Sequence, residues 1–197
     1  MTEQEDKNVT RGLTIAVSGF HGSGRTTHAK RLAESLGLRY LSSGMIFRQV
    51  AKEKGLSLEE MSRIAENDPE FDKLIDKRAK EESVGGGIVV DATLAGWMVE
   101  DPDLSIFLTA PFTARVNRIA RRENLSLEEA EKETRTREES ERQRFLRYYG
   151  MDINDLSIYD VVLNTELFSP DGTARILKKI VDEYCSEGSE NIGDGCG

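Results

Sequence analysis

Residues 19–26 read Gly19-Phe20-His21-Gly22-Ser23-Gly24-Arg25-Thr26. They follow the phosphate-loop pattern G-x-x-x-x-G-K-[ST] with Arg25 in the lysine position. Gly19, Gly22 and Gly24 permit positive φ and a close backbone approach. Successive N–H groups then point inward at phosphate oxygens, and the start of the following helix adds its positive end. Thr26 places a hydroxyl where Mg²⁺ binds in such loops. The usual lysine follows the β- and γ-phosphates as a compact charge, whereas arginine brings a bulkier planar fork. The segment is built for a nucleotide, and the substitution leaves catalysis open.

Further along lie groups suited to the same chemistry. The apolar run Ile88-Val89-Val90 ends in Asp91. A carboxylate there either reaches Mg²⁺, often through water, or caps a turn. Ser42-Ser43-Gly44-Met45-Ile46-Phe47-Arg48 follows a short strand and puts Arg48 on the next helix, able to clamp a second phosphate in bidentate fashion. Arg135, Arg137, Arg142, Arg144 and Arg147 are interleaved with Glu138, Glu139 and Glu141. On a helix Arg137, Glu141 and Arg144 share a face, as do Glu138 and Arg142. Alone, such a stretch is a solvated, salt-bridged helix. Beside a phosphate loop it also reads as an arginine-bearing lid that neutralises charge and excludes water. Arg115, Arg118 and Arg122 share one face of the preceding helix, so one of them can reach a nucleotide. His21 and His28 are isolated histidines, and His21 counts for its backbone more than its ring. Trp97 and Met98 read as packing, with Trp97 after a glycine at a possible ligand edge.

The elements that position these groups alternate. Leu13-Thr14-Ile15-Ala16-Val17-Ser18 is a buried strand, and Thr26 to Leu36 a helix. Further strands are predicted near 39–42, 88–91, 104–109 and 160–164, with helices between them. That order predicts a parallel sheet covered on both faces. Two polar helical inserts interrupt it, from about Met45 to Ser83 and from Leu127 to Tyr149. Ser57-Leu58-Glu59-Glu60 and Ser126-Leu127-Glu128-Glu129 are capping boxes that start helices, and Ser169-Pro170 starts the last one. Gly85-Gly86-Gly87 is a turn. A chain of 197 residues fits one domain. A net charge of −9 argues against bulk binding to nucleic acid or anionic membranes. The polar start from Met1 to Lys7 lacks a signal-peptide core, no apolar run is long enough to span a bilayer, and Cys185 and Cys196 make no disulfide framework. A cytoplasmic location is the expectation. Residues 1–11 and 186–197 are expected to be disordered.

In this order the segments resemble a nucleoside monophosphate kinase, most closely the archaeal type of cytidylate kinase. The carriers are Ser18-Gly19 through Thr27, Ser43 to Arg48, Leu94-Ala95-Gly96-Trp97-Met98, Arg137-Glu138-Glu139-Ser140-Glu141 with Arg144, and Tyr149-Gly150-Met151-Asp152-Ile153 leading to Asp155-Leu156-Ser157-Ile158-Tyr159-Asp160. The resemblance covers residues 12–184. It implies an α/β, P-loop NTPase-like fold with a five-stranded parallel sheet. It implies one domain over 12–185, with a monophosphate-binding insert at 44–84 and a lid at 132–153. The implied reaction takes ATP and CMP or dCMP to ADP and CDP or dCDP, with Mg²⁺. By position, Gly19, Phe20, His21, Gly22, Ser23, Gly24, Arg25, Thr26 and Thr27 hold the ATP phosphates. Arg25, Arg137 and Arg144 are the catalytic cations. Ser43, Arg48, Asp91 and Trp97 meet the acceptor, and Thr26 and Asp91 the metal. The partners implied are these nucleotides, with no nucleic acid and no membrane, and with oligomeric state open. The chain departs from the family pattern at Arg25, at Met45, where an acid is usual, and at Thr93, where an arginine is expected for the acceptor phosphate. These departures keep two alternatives in view: a different acceptor monophosphate, or a nucleotide-binding protein that transfers little or nothing.

Overall fold

The first strand carries apolar side chains on both faces and is buried at every position, which suits only the centre of a sheet. In the computed structural model, which describes residues 12–190 other than 59, 62–63 and 65–68, β1 (Thr14–Gly19) is that central strand. The sheet also contains β2 (Arg39–Ser42), β3 (Ile88–Asp91), β4 (Leu104–Thr109) and β5 (Val161–Asn164), in the order β2-β3-β1-β4-β5. All neighbours pair in parallel, with Ala16 opposite Val90 on one side and Ser105 on the other. The fold expectation holds, and each strand lies within one residue of its predicted place.

Alternation along the strands divides the core. Ile15, Val17 and Val89 face a layer made with Ala29 and Leu32 of α1 (Arg25–Leu36) and Leu177 and Val181 of α7 (Pro170–Glu190). Ala16, Ile88 and Val90 face the other layer, with Ile46 and Val50 of α2 (Ser43–Glu53) and Phe71 and Ile75 of α3 (Pro69–Ser83). The connection from β1 runs to β2 on one side, and that from β3 runs to β4 on the other, so the carboxyl ends of the adjacent strands β1 and β3 flank the crevice where open α/β sheets take ligands.

Three further helices are α4 (Ala95–Met98), α5 (Phe112–Glu123) and α6 (Leu127–Tyr149). Ser126 and Glu129 form a complete capping box, and Gly150 ends α6 in the left-handed conformation, as the sequence predicts. Two apolar clusters grip this helix. Near its start, Ala130 packs on Val116, Ile119 and Ala120 of α5. Near its end, Phe145 packs with Leu94 and Ile153, flanked by Trp97 and Met98. The stretch between is polar and lies over the crevice.

The Ser57–Glu60 capping contacts are present. Ser169 Oγ accepts from the Gly172 N–H at the start of α7. That helix runs to Glu190, so residues 186–190 are helical where disorder is expected. The other parts of the terminal expectation, 1–11 and 191–197, lie outside the described residues.

Candidate active site

The phosphate loop leaves β1 and enters α1 through Gly24, which takes φ 86°. Gly22 has φ 77°, and a Cβ there would lie 2.6 Å from the Arg115 carbonyl oxygen, so only glycine fits. The carbonyls of the loop are turned outward and held. Arg115 Nη1 donates to the His21 carbonyl at 2.9 Å, Arg118 Nη1 to the Gly22 carbonyl at 3.4 Å, and Thr165 Oγ1 to the Ser23 carbonyl at 2.8 Å. Arg115 also lies over the Phe20 ring. Fixing the carbonyls outward frees loop N–H groups for an anion. The resulting cradle encloses about 100 Å³, lined by Phe20, His21, Gly22, Gly24, Arg25, Thr26, Thr27 and Arg122. Of the α5 arginines, Arg115 and Arg118 therefore shape the loop, and Arg122 lines the cavity.

Arg25 turns sideways along the sheet edge. Its Nε donates to Asp91 Oδ1 at 2.6 Å, and Nη1 donates to the Gly19 carbonyl at 3.0 Å and to Thr93 Oγ1 at 3.1 Å. Asp91 is fully buried, and its second oxygen accepts from the Tyr40 hydroxyl at 2.7 Å. Burial pushes the Tyr40 hydroxyl well above its ordinary pKa, with the Asp91 charge and hydrogen bond adding to it.

A second cavity of about 270 Å³ adjoins this cluster. It is lined by Ser43, Gly44 and Phe47 of α2, Ile75, Ala92, Thr93 and Leu94, and by Arg137, Glu141, Arg144 and Phe145 of α6. The Ser42 side chain caps α2 by accepting from the Met45 N–H, so the helix start faces this cavity. Arg48 is exposed and is not in the lining; its Nη1 lies 3.6 Å from where a Cβ on the cavity-lining Gly44 would stand. Trp97 is not in the lining. It packs in the apolar cluster under the end of α6, where its buried Nε1 has no acceptor among the described residues.

The middle of α6 is tied to the phosphate loop. Glu141 Oε2 lies 2.9 Å from His21 Nε2, and Glu138 pairs with Arg115 through both guanidinium nitrogens. The His21 ring thus takes part as well as the backbone on which the sequence reading lays more weight. Glu138 goes to Arg115, while Arg142 pairs with Glu139 instead. Burial works to raise the Glu141 carboxyl, but the His21 hydrogen bond and the charges of His21, Arg137 and Arg25 outweigh it and hold it below its ordinary value. A third cavity of about 620 Å³ between α5 and α6 adjoins the cradle, sharing His21 and Arg122 with it and reaching Arg137 and Ser140.

The donor sets fit a nucleotide well and a metal in one place. The exposed Thr26 hydroxyl stands in the cradle lining. Both Asp91 oxygens are occupied, one by a cation. Among the described residues no cluster of three or more His, Cys, Asp or Glu side chains is present. Magnesium on nucleotide phosphates needs few protein ligands, because phosphate and water oxygens complete its shell.

A glycine-rich loop joining a central parallel strand to a helix, with a second cavity and an arginine-bearing helix beside it, defines a P-loop phosphotransferase fold. Solved structures agree. Shikimate kinase from Bacteroides thetaiotaomicron aligns with a TM-score of 0.58 at 13% identity, covering 86% of this chain and 98% of that one. Shikimate kinase from Acinetobacter baumannii, in complex with shikimate, aligns with a TM-score of 0.59 at 18% identity, covering 90% and 98%. Sequence comparison narrows the class. The chain belongs to the cytidylate kinase-like family, whose model matches residues 14–95 and 81–167. Among its relatives, the cytidylate kinase of Pyrococcus horikoshii is 49% identical over 86% of this chain and 88% of its own length. That of Staphylothermus marinus is 47% identical over 89% and 99%. Among the described residues no helix is long and apolar enough to cross a membrane.

Proposed function

We propose that the protein transfers the terminal phosphoryl group of ATP to CMP or dCMP. The observation that carries this reading is the placement of two cavities on either side of Arg25, the loop cradle on one side and a cavity roofed by α6 on the other. The loop cradle would take the donor phosphates, and the cavity at the start of α2 the acceptor. Residues 44–84 then form the monophosphate-binding insert, and 132–153 the lid. The relatives named cytidylate kinase support cytidine as the acceptor base.

The acceptor phosphate is already an anion at neutral pH, so the protein's work is alignment and charge neutralisation. The loop N–H groups and the start of α1 would hold the donor phosphates. Ser43, the start of α2 and Arg48 would orient the acceptor. Arg137 and Arg144, both in the acceptor-cavity lining, would meet the charge that develops on the transferred group. Magnesium on the donor phosphates, with Thr26 as its protein ligand, would supply further charge neutralisation. Asp91 is reserved for holding Arg25, and Trp97 for anchoring the lid. Ties from Glu138 and Glu141 would hold α6 over the crevice and limit the access of water that would otherwise hydrolyse ATP.

A coupled assay with ATP, Mg²⁺ and a panel of nucleoside monophosphates tests the reading. Turnover is expected to be fastest with CMP and dCMP. A clear preference for AMP or UMP would overturn the acceptor assignment. Calorimetric ATP binding with no transfer to any acceptor would overturn the enzyme assignment.

A further inference from the structure

We propose that Arg25, the first residue of α1, acts on the acceptor phosphate as well as the donor phosphates, and that Thr93 and Asp91 are the positioning residues that aim it there. This rests on the phosphoryl-transfer reading above.

Arg25 lines the donor cradle, yet its Nη1 donates to the hydroxyl of Thr93, which lines the acceptor cavity. The guanidinium therefore spans the boundary between the two sites. Its orientation is over-determined. Nε is fixed by Asp91, itself held by Tyr40, and the two Nη1 hydrogens are taken by the Gly19 carbonyl and Thr93. Three contacts fix the plane of the fork. Among the described residues Nη2 meets no acceptor, so two charge-assisted donors remain for phosphate oxygens. A lysine ammonium is a point charge on a flexible stem and cannot meet Asp91, Gly19 and Thr93 in this planar pattern. Thr93 and Asp91 touch neither phosphate in this account. They act through Arg25.

A double-mutant cycle tests this by separating acceptor from donor kinetics. Thr93→Val keeps shape and removes the hydroxyl. It is expected to raise the acceptor KM about threefold or more, while moving the ATP KM less than about twofold. In an Arg25→Lys background the same substitution is expected to change the acceptor KM by less than about 1.5-fold, because the group it aims is gone. Calorimetric titration of CMP into donor-free protein should show the same pattern, which rules out effects on turnover alone. Thr93→Val leaving acceptor affinity unchanged would overturn the proposal. So would an equal rise in both backgrounds, since Thr93 would then act by itself. Failure of wild-type protein to transfer phosphate would overturn the underlying function, a separate outcome.

Discussion

His21 Nε2 and Glu141 Oε2 lie 2.9 Å apart, joining the phosphate loop to the polar middle of α6. Apolar clusters hold that helix near both ends, so this pair and Arg115–Glu138 decide where its centre sits. Glu141→Gln should loosen the centre, lowering kcat several-fold, on the order of 3- to 10-fold, with a modest loss of overall stability at neutral pH. Hydrogen exchange should quicken around residues 135–142. Unchanged exchange with unchanged kcat would remove the tie from the account.

The same pair carries a pH signature. The folded Glu141 carboxyl lies below its ordinary value. Its stabilising contribution is therefore present above the unfolded value of about 4.3 and is lost as pH falls through the lowered folded value. In urea titrations, the stability gap between wild type and Glu141→Gln should be present at neutral pH and close on acidification below about 4. A gap that widens with acid contradicts the assigned sign.

Arg115 is almost fully buried and holds the His21 and Ala110 carbonyls and Glu138 at once. Arg115→Met leaves those groups unpaired and should cost about 3 kcal/mol, read as a lowered midpoint in thermal or urea unfolding. ATP affinity should fall with it, because the loop loses its outer support. Gly22→Ala should abolish ATP binding with a smaller stability loss, its Cβ clashing with the Arg115 carbonyl.

Much of this arrangement is legible in the sequence, and the remainder has a physical reason. Strand ends follow from apolar runs, which report burial directly. The limits of α6 follow from Ser126, Glu129 and Gly150, because caps are local chemistry. Side-chain destinations are not local. Glu138 shares a helix face with Arg142, yet it finds Arg115 on another helix. Asp91 at a strand end reads as a metal group or a turn cap, and nothing local signals that its oxygens accept from Arg25 and Tyr40. The His21 ring has no sequence neighbour to signal Glu141, 120 positions away. Thr93 signals only the absence of an expected charge, whereas the structure shows its hydroxyl accepting from Arg25.

Tyr40 supports Asp91 from behind. Its hydroxyl pKa is raised, chiefly by burial. The stabilisation from the neutral hydroxyl is present below the unfolded value of about 10 and is lost as pH rises above it. In a spectrophotometric titration, Tyr40→Phe should leave the phenolate signal near pH 10 unchanged in size, since Tyr40 ionises later. The variant should lose about 1–2 kcal/mol at neutral pH by leaving a buried carboxylate oxygen unpaired. A phenolate signal near pH 10 that shrinks by one tyrosine would contradict this.

The central claim is phosphoryl transfer from a loop-bound donor to a monophosphate held under α6. Phosphorus NMR of the intact protein with ATP, CMP and Mg²⁺ follows every phosphate at once. ADP and CDP resonances are expected to grow together in equal amounts while inorganic phosphate stays near background. ADP rising with inorganic phosphate and without CDP, or no change in ATP, would contradict it.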